Sequence, residues 1–430
     1  MKFIHTADWH LGNTMLNIDR SRETAAFLEW LRGKIIETGA EALVIAGDVF
    51  DVPNPSNIAR NQYYNFLASL RGSCCTNVVI VGGNHDSGSM LDAPAGALKF
   101  LNIHVVGTIS NRKIDDLVLE LKNTAGEVTA ICCSVPFMRD LELIEFYRDK
   151  EDGATHDESH DDDLLRRLYA DVYAQALELR GDKKIPIIAT GHLYAANLEG
   201  RDSASGELSE RIDDGVRDVV GSLGNVKVDV FPEGLDYVAL GHIHYATKVA
   251  KNDKVRYSGS PFVMGFDEVS HKRSILMVDV NETLKVESIE VPQTSICYKQ
   301  VKGTLDSIKQ QLCDLEKELI QNPVDTYVDV LLTESDIVNL ERALEDVESN
   351  KHFVVVRHRI ERMTSAAVAP GMSGAESTKQ FSKEEYFKRL VASTLNKDLD
   401  SEEVNKSYNE FLDLFHEAIE YAEHQQAREN

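Results

Sequence analysis

Along the chain, short continuous apolar runs alternate with stretches whose apolar positions recur at helical spacing, which predicts alternating strands and helices. Phe3 to Thr6 reads as a first strand, followed by a helix with Phe27, Leu28, Leu31 and Ile35 on one face. Ala42 to Ala46 is a second strand. Asn54-Pro55 then predicts a helix start, with Ile58, Phe66, Leu67 and Leu70 as its apolar side. Val78 to Gly82 is a third strand ending in a glycine turn. Strands are predicted again at Val128 to Ser134, Ile185 to Thr190, Asp236 to Leu240, Val255 to Ser258 and Ser274 to Val280, with a helix carrying Leu164, Leu165, Leu168, Val172 and Ala176 among them. This is the α/β plan, in which ligands sit at the carboxyl edge of the sheet.

Past Val280 the pattern changes. Strand-like Ile289 to Val291 and Ser295 to Val301 precede a helix with Leu305, Ile308, Leu312, Leu315 and Leu319. Tyr327 to Leu332, Ile337 to Val347 and Phe353 to Val356 follow as strand, helix and strand, so residues 281–362 read as a small α+β domain. Met363 to Lys379 has the composition of a flexible linker, placed at 363–380. Ser382-Lys383-Glu384-Glu385 is a capping box opening a helical segment over 381–430, with Tyr386, Phe387, Leu390 and Val391, then Val404, Tyr408, Phe411, Leu412, Phe415 and Ile419. The linker and the aromatic helix faces predict a docking element for a partner.

Chemistry gathers at the strand ends. The first is followed by Asp8 and His10, the second by Asp48 and Asp51, the third by Asn84 and His85, and two later ones by His192 and by His242 with His244. Asp8, His10, Asp48, Asn84, His192, His242 and His244 are too many ligands for one ion and suit two, with one bridging carboxylate. The mixed imidazole, carboxylate and amide set favours Mn²⁺, Fe²⁺ or Zn²⁺ over Mg²⁺ alone, and without a thiolate it does not suit a closed structural zinc site. Such a pair fits phosphoester hydrolysis. His85 is placed to stabilise charge on the phosphate or to protonate the leaving oxygen, and Asp51 to hold the His85 ring in one tautomer. His5, His104, His271, His352, His358, His416 and His424 read as ordinary core or surface residues.

The bulk numbers bound this picture. At 430 residues, 43% hydrophobic and 27% charged, the chain has the composition of a folded globular protein. No apolar run approaches the roughly 18 residues of a membrane span, and Met1 leads straight into a strand without a signal-peptide core. Cys74, Cys75, Cys132, Cys133, Cys297 and Cys313 have no C-x-x-C spacing, as expected of reduced thiols in a cytoplasmic protein. A net charge of −25 argues against a protein that coats nucleic acid unaided, though not against an enzyme whose metals or partner meet the phosphates. The acidic insertion at 150–163, which carries His156 and His160, reads as a solvated loop.

Asp8-x-His10, Gly47-Asp48-Val49-Phe50-Asp51, Gly83-Asn84-His85-Asp86, Gly191-His192 and Gly241-His242-Ile243-His244 resemble the calcineurin-like metallophosphoesterase signature in its full order. His5 to Gly12, Asp236 to His244 and Arg256-Tyr257-Ser258-Gly259-Ser260-Pro261 are similar, more narrowly, to the SbcD family. The resemblance covers residues 1–280. It implies a two-sheet sandwich flanked by helices, with residues 281–362 as a capping domain, and two Mn²⁺ ions. Asp8, His10, Asp48 and His244 would hold one ion and Asp48, Asn84, His192 and His242 the other, with Asp48 bridging and His85 catalytic. It further implies a DNA exonuclease and endonuclease acting on double-stranded ends and hairpins in repair, recombination and replication. The nuclease would be homodimeric, in a heterotetramer with an SbcC-like coiled-coil ATPase. The competing expectations are a phosphodiesterase for small nucleotides and a scaffold with a vestigial metal site.

Overall fold

Residues 1–148, 161–195, 228–293, 295–333 and 352–360 are described by a computed structural model, together with Lys388, Ser401, Lys406, Tyr408, Phe411 and Leu412. The chain divides into two units, Met1–Glu361 and Arg362–Asn430. The expected helix at 337–347, the linker at 363–380, most of the helical segment at 381–430 and residues 150–160 of the acidic insertion lie outside the described residues.

In chain order the first unit contains β1 (Lys2–Thr6), a short hairpin of β2 (Thr14–Met15) and β3 (Ile18–Asp19), α1 (Ser21–Thr38), β4 (Ala42–Ala46), α2 (Asn57–Ser69) and β5 (Asn77–Val81). Then come α3 (Gly88–Asp92), α4 (Ala95–Leu98), β6 (Ile103–Val106), β7 (Val118–Lys122), β8 (Val128–Ser134), α5 (Asp140–Arg148), α6 (Asp161–Arg180) and β9 (Ile187–His192). β10 (Tyr237–Gly241), β11 (Thr247–Val249), β12 (Asn252–Tyr257), β13 (Ser274–Asp279) and β14 (Lys285–Glu290) complete two six-stranded sheets. Their orders are β14-β13-β1-β4-β5-β6 and β11-β12-β10-β9-β8-β7. In the first, β1, β4, β5 and β6 run parallel; in the second, β8, β9, β10 and β12 do.

The sheets pack face to face, which explains why their central strands are apolar throughout rather than alternating. Phe3, Ala42, Val44 and Val79 point inward to meet Ala130, Cys132, Ile188, Tyr237 and Ala239 of the other sheet. The intervening residues point outward, Ile4, Leu43, Ile45 and Ile80 against α1 and α2, and Ile131, Cys133, Ile187 and Leu240 against α6. α1 buries Thr24, Phe27, Leu28, Leu31 and Ile35. α2 begins later than Asn54-Pro55 suggests, because Ser56 is its cap and accepts from the Ala59 N–H at 3.2 Å. Its buried face is Ala59, Tyr63, Phe66 and Leu67, while Ile58 is exposed.

The first sheet also runs past residue 280. β14, expected within the small domain, pairs antiparallel with β13 through Ser274↔Glu290 to Asp279↔Lys285. β15 (Ile296–Gly303), α7 (Leu305–Gln321), β16 (Asp325–Leu332) and β17 (Phe353–Ile360) then form a three-stranded parallel sheet, with Ile308, Leu312, Leu315 and Leu319 of α7 buried against it. Among the described residues no helix is long and apolar enough to cross a membrane.

Candidate metal centre

All the strand-end residues singled out above meet at one edge. β1, β4 and β5 of the first sheet and β9 and β10 of the second end there, so the loops beyond them face each other across the sandwich. Asp8 and His10 are brought together by an unusual backbone rather than by extended chain. Both adopt left-handed backbone (φ 53° and 43°) around Trp9, which is buried edge-on against Phe27 and Phe66. Asp48 (φ 49°) and His242 (φ 106°) share that unfavourable region. Such strain persists only where surrounding contacts over-determine the backbone, and it clusters at functional sites.

Those contacts are present. The Asp8 N–H donates to the Gly47 carbonyl at 3.0 Å and the His10 N–H to the Asp48 carbonyl at 2.9 Å. Asp86 ties two loops together, its carboxylate accepting from the backbone N–H groups of Val49, Phe50 and Gly83 at 2.9 to 3.1 Å. Ser260 Oγ donates to the Asp8 carbonyl at 2.7 Å, and its N–H donates to the His244 carbonyl at 3.0 Å. Tyr257 OH donates to the Leu193 carbonyl and accepts from the Ala195 N–H, fixing the loop after His192. Asp86, Ser260 and Tyr257 are framework residues that strand-end reading passes over, although all three lie within the quoted motifs. Gly83 is required by close approach, since a Cβ there would stand 2.1 Å from Asp48 Oδ1 and 2.3 Å from Asp48 N.

Two sets of ligand atoms converge. Oxygen and nitrogen atoms of Asp8, His10 and His244 lie within 4.8 Å of one another, as do those of Asp8, Asp48 and His192. Asn84 Oδ1 is 2.9 Å from His192 Nε2 and 3.0 Å from His242 Nδ1, and Asp48 Oδ2 is 3.3 Å from His192 Nε2 and 3.6 Å from His10 Nε2. The His192 Nδ1–H donates to the Ala46 carbonyl at 2.9 Å, which turns Nε2 into the cluster.

Asp51 departs from expectation. It is the backbone carbonyl of Asp51, not its carboxylate, that accepts from His85 Nδ1, at 2.9 Å. The Asp51 carboxylate instead faces His10, with Oδ1 3.2 Å from Nδ1. A carbonyl only accepts, so it fixes the His85 tautomer as firmly as a carboxylate would. His85, His10 and Asp51 also bring ligand atoms within 4.8 Å of one another. His5 is a satisfied core residue: its Nε2–H donates to the Leu240 carbonyl at 3.1 Å and its Nδ1 accepts from Tyr237 OH at 3.0 Å.

The electrostatics are those of a place built for positive charge. Burial pushes Asp8 up to about 7 despite His192 and His10 nearby. For Asp48, burial is outweighed by His192, His10 and His85, which hold its carboxyl far below the usual carboxylate range. His192 is raised to about 9, its burial outweighed by Asp48 and Asp8. His242 and His244 are lowered to about 3, by burial and then by their charged neighbours His192 and His10. Asp8 Oδ2, His10 Nε2 and His244 Nδ1 are buried with no hydrogen-bond partner. Buried polar atoms are ordinarily satisfied. Unsatisfied oxygen and nitrogen atoms gathered beside Asp48, Asn84 and His192, with no thiolate among them, fit divalent ions of the Mn²⁺, Fe²⁺ or Zn²⁺ kind.

A two-sheet sandwich with a paired-metal ligand set at its carboxyl edge defines a metallophosphoesterase. The sequence model of the calcineurin-like phosphoesterases matches residues 1–246. The chain is 31% identical over 396 residues to the SbcD component of nuclease SbcCD from Escherichia coli K12, covering 91% of this chain and 93% of the relative. Proteins of the same name from Rhodobacter capsulatus (34% over 298 residues, 68% of this chain and 70% of the relative) and Bacillus subtilis (31% over 283 residues, 65% and 66%) are also similar. The chain belongs to the calcineurin-like phosphoesterases and, among them, to the SbcD family.

Proposed function

We propose that this chain is a metal-dependent DNA nuclease that hydrolyses phosphodiester bonds at DNA ends and hairpins, with exonuclease and endonuclease action, as the nuclease component beside an SbcC-type ATPase in DNA repair and recombination. The observation that carries the chemistry is the set of buried, unsatisfied ligand atoms of Asp8, His10 and His244 beside Asp48, Asn84, His192 and His242. The nuclease assignment is supported by similarity to relatives named for that activity over 91% of the chain.

In this reading Asp8, His10, Asp48 and His244 hold one ion and Asp48, Asn84, His192 and His242 the other, with Mn²⁺ as the metal. Two such ions supply Lewis acidity, activating a water and neutralising charge on the phosphate. The chain's own part is orientation and proton transfer. Asp48 Oδ1 accepts from the backbone N–H of His85 at 2.9 Å, so the shared carboxylate is tied to the loop that carries the catalytic histidine. With Nδ1–H committed to the Asp51 carbonyl, the half-buried His85 keeps Nε2 to meet the leaving oxygen as a general acid.

The cytoplasm, a homodimeric nuclease within a heterotetramer, and docking of the ATPase on residues 381–430 complete the proposal. Truncation after Lys379 tests the docking element, because the shortened chain should keep its nuclease activity but no longer co-purify with the ATPase. The decisive experiment for the activity compares Mn²⁺-dependent hydrolysis of blunt and hairpin DNA, with and without the ATPase, against cyclic and mononucleotides. Turnover of the small substrates alone would replace this reading with a small-nucleotide phosphodiesterase, the reading that the −25 charge favours.

A further inference from the structure

Asp51 has contacts that its position at the rim of the metal centre does not require. The Oδ1 that faces His10 Nδ1 also accepts from Asn13 Nδ2 at 3.0 Å. At its other end Asn13 Oδ1 accepts from Arg20 Nη1 at 3.1 Å. The amide can face only one way. Reversed, it would set its oxygen against the carboxylate and its NH₂ against the guanidinium.

Arg20 is itself immobilised, at 4% exposure. Its Nε donates to Glu23 Oε2 at 2.7 Å and its Nη1 to the Val263 carbonyl at 2.9 Å. Its guanidinium lies 5.4 Å from the Phe262 ring and 5.3 Å from that of Tyr298. Tyr298 belongs to β15 of the small sheet. Its OH donates to Glu23 Oε2 at 3.1 Å, and its ring packs in one apolar cluster with Met15, Ile18, Val263, Phe266 and Ile296. Tyr298, Arg20, Asn13, Asp51 and His10 are therefore linked contact by contact from the small sheet to the metal centre.

We infer that Asn13 is a positioning residue, through which the seat of the small sheet on Arg20 sets the Asp51 carboxylate and hence the His10 ring. The inference rests on the metal-site reading above. An imidazole ligand gains basicity and a fixed orientation when its far nitrogen is bound to a held carboxylate, and losing such a partner costs typically about 10–100-fold in metal affinity. Nothing but Asn13 joins the cation of Arg20 to the anion of Asp51 in these contacts, and an amide is the side chain that satisfies both at once.

Calorimetric titration of the full chain with Mn²⁺ tests this, with thermal melting as a check of the fold and hydrolysis of bis(p-nitrophenyl) phosphate for kcat and KM. Asn13→Ala should weaken one of the two Mn²⁺ sites by about tenfold and leave the other and the melting temperature nearly unchanged, with kcat falling more than KM rises. Asn13→Asp keeps an acceptor for Arg20 but sets a carboxylate against Asp51, and should weaken the same site at least as much. Tyr298→Ala should weaken it as well, while Tyr298→Phe, which keeps the ring over Arg20, should not. Wild-type Mn²⁺ binding in Asn13→Ala would overturn the inference. So would recovery of binding in Asn13→Asp, since Asn13 would then serve only to anchor Arg20. A wild-type chain that binds two Mn²⁺ ions but leaves DNA intact would remove the nuclease reading and leave this test standing, whereas no Mn²⁺ binding at all would remove both.

Discussion

Among the strand-end residues, His85 differs in how its ring is held. His10, His192, His242 and His244 turn nitrogens into the buried cluster, whereas His85 commits Nδ1–H to the Asp51 carbonyl and stays half-buried. A group that acts on the transition state and does not assemble the site has a distinctive signature when removed. His85→Asn should keep both metals and DNA binding while turnover falls by about 10²–10⁴-fold, the usual contribution of a positioned acid or base. Metal analysis of the purified variant together with single-turnover kinetics checks this, and the loss of an ion would make His85 a ligand. His5 carries a different prediction. It is neutral and fully hydrogen-bonded, and burial lowers it to about 3, against 6.5 when unfolded. Between those values the unfolded chain binds a proton that the folded one does not, so stability falls as pH drops from about 6.5 towards 3. His5→Gln should remove roughly 2 kcal/mol of the stability lost between pH 7 and pH 5. Urea unfolding of both proteins at the two pH values reads that difference, in which His242 and His244 cancel because both proteins carry them.

At the scale of elements, the sequence is most legible where burial dictates it. β1, β4, β5, β9 and β10 are short apolar runs with chemistry just past their ends, and two-sided burial leaves few other ways to place them. The periodic faces of α1 and α7 are legible for the same reason. What escapes is set by partners far along the chain. β7 and β11 are edge strands of mixed composition, and β14 is mostly exposed, with partly covered residues set among charged ones. Only pairing with β13 makes it part of the first sheet. The start of α2 turns on whether Ser56 or Asn54 supplies the capping oxygen, which local sequence leaves evenly balanced. The site itself is legible by residue type, but its left-handed loops are not, because they depend on Trp9, Asp86 and Ser260 holding them from behind. Gly83 makes this testable. Gly83→Ala forces a Cβ into Asp48, so it should cost about 1–3 kcal/mol of stability, as overpacking does, and lower Mn²⁺ affinity with it. Gly96→Ala, where a Cβ meets open space within α4, is the matched control and should leave Mn²⁺ affinity unchanged and stability no lower. Equal melting temperatures and equal Mn²⁺ affinities in the two variants would show that the β5 loop is not held against Asp48.

For the molecule as a whole, the governing number is its charge. There are 71 acidic against 46 basic side chains, a net of −25, on a chain whose relatives are named for a nuclease. Duplex DNA is bound largely by releasing counterions from the phosphates that basic groups neutralise, and each neutralised phosphate contributes about −0.9 to the slope of log affinity against log salt. An acidic chain gains little from this by itself. It repels the approaching backbone at long range, and the positive charge it offers is concentrated where metals would sit, between Asp8, Asp48 and the histidines. The expected division of labour follows. Alone and loaded with Mn²⁺, the chain should bind duplex DNA weakly, with a salt slope corresponding to about one to three phosphates, and chelation should abolish most of that binding. In the proposed complex with an ATPase that supplies basic surface, affinity should rise and the slope steepen to about six or more phosphates. Anisotropy titrations of one fluorescent duplex across a salt series, with and without partner and metal, measure all three quantities. A steep slope for the isolated chain would place a basic DNA track on it in spite of its net charge, and would show that the ATPase is not needed to hold the substrate.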